Sequence, residues 1–132
     1  MQMVTDMNMS ASYKPILLKA FFTFANHNGR TELNNVVRYF RSYYEGRRSR
    51  GLMVEKPGSY FAEKTYMNSE IKKLILDMPL KRFEDMSMMH YNSKTGMVEM
   101  DQIVWKSLTE AEKEKLLGIC DEALERYYKR IS

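Results

Sequence analysis

The run Asn92-Ser93-Lys94-Thr95-Gly96 permits little but a tight reversal of the chain. Gly96 can take the left-handed conformation that closes a four- or five-residue loop, and Asn92 or Ser93 can bond back to the turn backbone. On one side Met89 and Tyr91 alternate with Met88 and His90; on the other Val98 and Met100 alternate with Met97 and Glu99. Alternation of this kind gives each strand one buried and one wetter face. The reading is a β-hairpin over Met88–Met100. An isolated two-stranded hairpin is marginal in water, so this one must lean on its neighbours. Trp105, the only tryptophan, follows at once and is the candidate to pin the hairpin to the rest of the chain by core packing.

Those neighbours read as helices. Tyr13–Ala25 is apolar nearly all round, with Ile16, Leu17, Ala20, Phe21 and Phe24 on one face and only Lys14, Lys19 and Thr23 polar. Such a helix lies at the centre of a core or is covered on two sides. Pro15 suits its first turn, and Asn26-His27-Asn28-Gly29 stops it. Thr31 is the expected N-cap of a second helix, with Glu32 in its first turn. Its apolar stripe is Leu33, Val36, Val37, Phe40 and Tyr44, and Gly46 should fray its end. Asn68 or Ser69 should cap a third helix, Ser69–Met78, with Ile71, Leu74, Ile75 and Met78 inward. Pro79 starts a fourth, Pro79–Met86. Thr109 and Glu112 match a capping box that opens the last helix, whose stripe is Leu116, Leu117, Cys120, Ala123, Leu124, Tyr127 and Ile131.

The expected fold is therefore mainly α with one small β-hairpin: a winged-helix-like single domain of about five helices, with residues 11–132 as the domain and 1–10 as a flexible tail. At 132 residues the chain can bury a real core. Its 44% hydrophobic and 29% charged content suits a globular rather than a disordered protein. No apolar run reaches the length of a membrane span, and Met1–Ser10 lacks the basic and apolar regions of a signal peptide, so the expected location is cytoplasmic. Cys120, the only cysteine, excludes an intrachain disulfide and reads as a small buried hydrophobe. The methionines at 86, 88, 89, 97 and 100 suit an irregular core under the hairpin, at least on the face of Met89, Val98 and Met100.

Chemistry-bearing patterns are few. The sequence has no phosphate loop, dinucleotide fingerprint, paired-cysteine metal spacing or HExxH. Hence no catalytic residue, metal or cofactor is expected, and the chain reads as no enzyme. What stands out is charge. Arg38, Arg41, Arg47, Arg48, Arg50 and Lys56 lie in one segment opposed only by Glu45 and Glu55, and that segment carries the whole formal excess of +4. The remaining basic and acidic residues cancel. A localised arginine excess points to an anionic partner, although basic residues at a helix C-terminus also complement its dipole. The candidate binding residues are Arg41, Tyr43, Arg47, Arg48, Arg50, Lys56, Tyr60 and Lys64: the cations for phosphates, Tyr43 or Tyr60 for stacking on an unpaired base. Two acids cannot neutralise three guanidinium groups, so Arg47, Arg48 and Arg50 are expected in solvent, on the side of the loop from Pro57 to Lys64.

The order helix, Gly29-Arg30-Thr31-Glu32-Leu33, helix, further helix, hairpin resembles bacterial winged helix-turn-helix domains. More narrowly, Ser12-Tyr13-Lys14-Pro15-Ile16-Leu17-Leu18 with Asn28-Gly29-Arg30, then Met78-Pro79-Leu80-Lys81-Arg82-Phe83-Glu84, Tyr91 and Trp105, looks like a small accessory module appended to bacterial and phage helicases and restriction-type enzymes. The resemblance implies a noncatalytic nucleic-acid or protein-docking role. The chain departs from the helix-turn-helix pattern in one respect. Residues 46–67 separate the second and third helices, where such domains have a turn of three or four residues. Backbone contact is thus favoured over base-specific reading. Two functions are expected. The first is a nucleic-acid-associated binding domain using an arginine-rich surface. The second is a protein-interaction module, a phage or bacterial defence-related factor that meets an acidic protein surface on a larger nucleic-acid-processing enzyme.

Overall fold

The computed structural model describes residues 11–59, 61–62 and 66–132; the expected tail 1–10 lies outside them. In chain order the elements are α1 (Tyr13–Phe24), β1 (Arg30–Glu32), α2 (Leu33–Ser49), α3 (Asn68–Asp77), α4 (Pro79–Asp85), β2 (Met89–Asn92), β3 (Met97–Met100), α5 (Gln102–Ser107) and α6 (Glu110–Ile131). The chain is mainly helical with a small three-stranded antiparallel sheet, an order that does not contradict the winged-helix-like expectation. Helix α1 is the axis of the core. Ile16, Leu17, Leu18, Ala20 and Phe21 are fully buried, and the helix packs against α2, α4 and α6. Covered on several sides, it needs no polar stripe, as its sequence requires.

The hairpin forms as its alternation demands. Met89 pairs with Met100 and Tyr91 with Val98; Met89, Val98 and Met100 face the core. The Asn92 carbonyl accepts from Gly96 N at 2.8 Å, its side chain accepts from Lys94 N at 3.0 Å, and Gly96 has φ 72°. A third strand completes the sheet. Arg30–Glu32 pairs with β3, opposite Glu99, Val98 and Met97, in the order β1-β3-β2. Thr31 is thus not a helix cap but a buried strand residue opposite Val98. The hairpin's turn does the capping: Leu33 N donates to the Gly96 carbonyl at 2.9 Å, which satisfies one of the free N–H groups at the start of α2.

Other boundaries also move. Helix α2 does not fray at Gly46 but runs to Ser49, because contacts of Arg47 and Arg48 outweigh the roughly 1 kcal/mol that a mid-helix glycine costs. It stops at Gly51, which has φ 69° and donates to the Arg48 carbonyl at 3.1 Å. Helix α3 has Met67, not Asn68 or Ser69, at its cap position; Glu70 reaches back to Met67 N at 3.0 Å. Met78, expected inside, is exposed at the junction with Pro79. The capping box of α6 forms: Glu112 N donates to Thr109 Oγ1 and Thr109 N to Glu112 Oε1, both at 3.1 Å.

Trp105 fastens α5, and with it the end of the hairpin, to the end of α1. Its Nε1 donates to the His27 carbonyl at 2.9 Å, and its ring stacks on Phe22 and meets Phe21 edge-on. The ring closes over Gly29, where an added Cβ would lie 2.7 Å from it; Gly29 also has φ 74°. Both facts demand glycine there. Cys120 is buried as expected, and burial pushes its thiol up to about 12, so it stays protonated. Among the described residues no helix is long and apolar enough to cross a membrane.

Candidate functional site

The arginines expected to form one exposed cluster divide between two flanks of α2. On the first, Arg41 donates through Nε to Asn68 Oδ1 at 2.7 Å, through Nη1 to Glu45 at 3.0 Å and through Nη2 to the Tyr66 carbonyl at 2.5 Å. Arg48 donates to the Phe61 carbonyl at 2.7 Å. These two residues staple the segment between α2 and α3 onto α2. A segment without regular structure carries carbonyls that no ladder satisfies, and the five donors of a guanidinium suit them well.

On the second flank, the Arg47 guanidinium lies 3.5 Å above the Tyr128 ring and its Nε donates to the Met53 carbonyl at 2.6 Å. Arg50 folds back to the Gly46 carbonyl at 3.1 Å. The expectation that Arg47, Arg48 and Arg50 all stand in solvent therefore fails for the first two, which are half-buried; only Arg50 is exposed. A main-chain carbonyl accepts from each, and the Tyr128 ring face covers Arg47. Arg48 does lie on the side of the loop, through Phe61. Lys56 is half-buried. Tyr43 is half-buried and meets Tyr44 edge-on at 5.0 Å. Tyr60 and Lys64 lie outside the described residues.

Glu55 does not oppose the arginines. It is 3% exposed and turned into the core. One oxygen accepts from Ser12 N at 3.1 Å and Ser12 Oγ at 2.5 Å; the other accepts from Lys56 N at 3.1 Å and from the Tyr127 hydroxyl. Ser12 Oγ shares a further hydrogen bond with the Tyr44 hydroxyl, and Tyr128 donates to the Val54 carbonyl at 2.8 Å. Burial raises the pKa of all three phenols, Tyr44, Tyr127 and Tyr128. They remain neutral donors, so the cluster ties α1, the loop and α6 together and offers no phenolate base. Sequence reading assigned Glu55 to the charge balance of the loop. Its only sequence signal was a lone acid between Val54 and Lys56, which does not distinguish inside from outside.

The Arg47–Tyr128 stack joins the C-terminal ends of α2 and α6. Between them runs an open groove of about 390 Å³, with Tyr43 and Arg47 on one side and Leu124, Tyr128, Lys129 and Ser132 on the other. Lys129 pairs with Glu125 at 3.2 Å, and at the far end Lys19 pairs with Asp121 at 2.6 Å. Tyr39, half-buried, meets the exposed Phe24 edge-on at 6.4 Å. Sequence reading singled out Tyr43 but missed Tyr39, Phe24 and Tyr128. The signal for Tyr39 was available: it stands four residues before Tyr43 and eight before Arg47. Among the described residues no three His, Cys, Asp or Glu side chains gather as a metal site. Compared with family models, curated proteins and solved structures, the chain matches none of them.

Proposed function

We propose that the protein is a noncatalytic nucleic-acid-binding domain that holds the phosphate backbone electrostatically where α2 and α6 end side by side. The observation that carries this reading is the stacking of Arg47 on Tyr128. It brings the last turn of α2, which Arg50 follows, against the last turn of α6, which carries Lys129, so the charge excess of the α2 segment meets a second basic helix end. Both ends also complement their helix dipoles, which lets the cations stand together without acids to neutralise each one. Such a surface attracts any polyanion, and its affinity falls steeply with salt as counterions are released. The staples Arg41 and Arg48 are assigned to the loop rather than to the ligand.

A second reading has its own support. Leu52 and Met53 are 47% and 37% exposed and, with Pro57, Ala62 and Arg48, line a second open groove of about 370 Å³. An apolar anchor beside arginine fits docking on an acidic protein surface. One experiment separates the two: retention of partners from lysate by the immobilised protein before and after nuclease treatment, beside a mobility shift at low salt. Retardation of oligonucleotides with salt-dependent affinity supports the first reading. A partner kept after nuclease, with no retardation of any DNA or RNA, replaces it with the second.

A further inference from the structure

The charge on this face lies at one end of a row of aromatic rings. Tyr39, Tyr43 and Arg47 stand at i, i+4 and i+8 on α2 and Arg50 follows at i+11 as its C-terminal cap residue, so they follow one flank of the helix for about 16 Å. Phe24, 42% exposed, extends the row beyond Tyr39. Tyr39 and Tyr43 are half-buried: each is anchored against the core yet keeps part of its ring at the surface. The row opens into the groove beside Leu124 and Lys129. Lys19, Arg47 and Lys129 lie beside it and Arg50 follows Arg47 at the end of α2, with Asp121 and Glu125 as the nearby carboxylates. Both carboxylates are already held by lysines.

We infer that this row is a binding track for single-stranded nucleic acid, with bases stacked on Phe24, Tyr39 and Tyr43 and phosphates met by Arg50 and Lys129; the inference rests on the nucleic-acid reading above. Exposed rings add affinity only for bases that are free to leave their own stack. A duplex hides base faces and presents backbone and groove edges. A purely electrostatic site would not need a row of rings leading to its cations, and a purely apolar docking face would not end on arginine and lysine. Every base has a π-face, so the track should be tolerant of sequence. Glu125 occupies Lys129 in the free protein, so a bound phosphate must displace it, and Glu125→Gln should tighten binding.

The test is fluorescence anisotropy with labelled oligothymidine of about 12 nucleotides and a duplex of the same length. The single strand should bind at least about tenfold tighter than the duplex at low salt. Tyr39→Leu with Tyr43→Leu, which keeps apolar bulk and helix propensity, should weaken it by about tenfold or more, whereas Tyr43→Phe should bind within about twofold of the parent. Arg50→Ala should lower the slope of log affinity on log salt by about 0.7. Should the double variant misfold by circular dichroism, photocrosslinking of the unaltered protein to an iodouracil-bearing strand decides: adducts must map to Phe24, Tyr39 or Tyr43. Single strand and duplex bound equally, a folded double variant that binds normally, or adducts confined elsewhere would each overturn the track while leaving backbone binding intact. Failure to bind either probe overturns both readings.

Discussion

Removing the Glu55 carboxyl should be among the most damaging single changes in this protein. Four donors converge on it: Ser12 N, Ser12 Oγ, Lys56 N and the Tyr127 hydroxyl. Ser12 is fully buried and Tyr127 is 1% exposed. In Glu55→Ala, Ser12 Oγ keeps its bond with Tyr44, and Lys56 N, in a half-buried residue, can find water. Ser12 N and the Tyr127 hydroxyl have no such recourse. Each donor left unsatisfied costs about 1–3 kcal/mol, so two cost about 2–6. The expected loss is about 2–6 kcal/mol, a large share of the roughly 5–15 that holds a domain together. It should lower Tm by at least about 10 °C. Glu55→Gln keeps one acceptor oxygen but points an NH2 group at donors on its other side, so it should lose about half as much.

The assay is urea unfolding of the full chain followed by circular dichroism, comparing midpoints at constant slope. A cycle with Tyr127→Phe isolates one bond. The coupling energy between Glu55→Gln and Tyr127→Phe should be about 1 kcal/mol or more. If Glu55→Ala unfolds within about 0.5 kcal/mol of the parent, as an ordinary surface change does, then Glu55 is not the knot between α1, the loop and α6. If the cycle is additive, the Tyr127 bond contributes nothing.

Three further outcomes follow from the geometry. Gly29→Ala combines a left-handed backbone with a contact of 2.7 Å on the Trp105 ring; it should cost about 2–4 kcal/mol and shift tryptophan fluorescence to the red, and an unchanged spectrum and stability would refute the close approach. Arg48→Ser should expose residues 51–59, 61 and 62 to amide exchange and lose about 1–2 kcal/mol, while Arg50→Ser should leave stability within about 0.5 kcal/mol; equal effects would dissolve the distinction between staple and surface charge. Hydrogen bonds from Thr109, the backbone N–H first and then the side chain, hold the Glu112 carboxyl below its ordinary 4.5. Its stabilising share is therefore present above that value and fades as pH falls through the lower folded value. Thr109→Ala should accordingly lower Tm at neutral pH and matter less in acid; a larger effect in acid would reverse the sign.

Elements governed by local chemistry were legible in the sequence: the hairpin from Asn92–Gly96, the α6 box from Thr109 and Glu112, the central α1 from its all-round apolarity. What escaped depended on partners far along the chain. Thr31 has the chemistry of a cap, but β3 offers it an edge and the Gly96 carbonyl caps α2 instead. Gly46 has the chemistry of a helix end, but loop carbonyls of Met53 and Phe61 hold the next turn in place. Met78 has the right spacing to face inward, but the turn into Pro79 rotates it out. Of the candidate site, Tyr43, Arg47 and Arg50 were legible and stand on one flank; Glu55, Tyr39 and Tyr128 were not, because their roles are set by α1 and α6.

The same periodicity explains why a cluster in sequence is two sites in space. Arg41 and Arg48 are seven residues apart, two helical turns, and so share the flank that meets the loop and α3. Tyr43, Arg47 and Arg50 follow at spacings of four and three on the flank that meets α6. Counting the arginines as one positive patch overstates the charge available to a ligand, because Arg41, Arg48 and, through Met53, Arg47 are committed to main-chain carbonyls that would be left bare without them. Replacing Arg47, Arg48 and Arg50 together would remove two hydrogen bonds to loop carbonyls, Met53 and Phe61, along with the surface charge. Loss of binding in that variant would then follow from a loosened loop as readily as from a lost phosphate contact. Substitutions confined to one flank keep the two roles apart. Arg50 is the cation to alter first, since among the described residues its guanidinium donates to the Gly46 carbonyl of the adjoining helix and not to the loop.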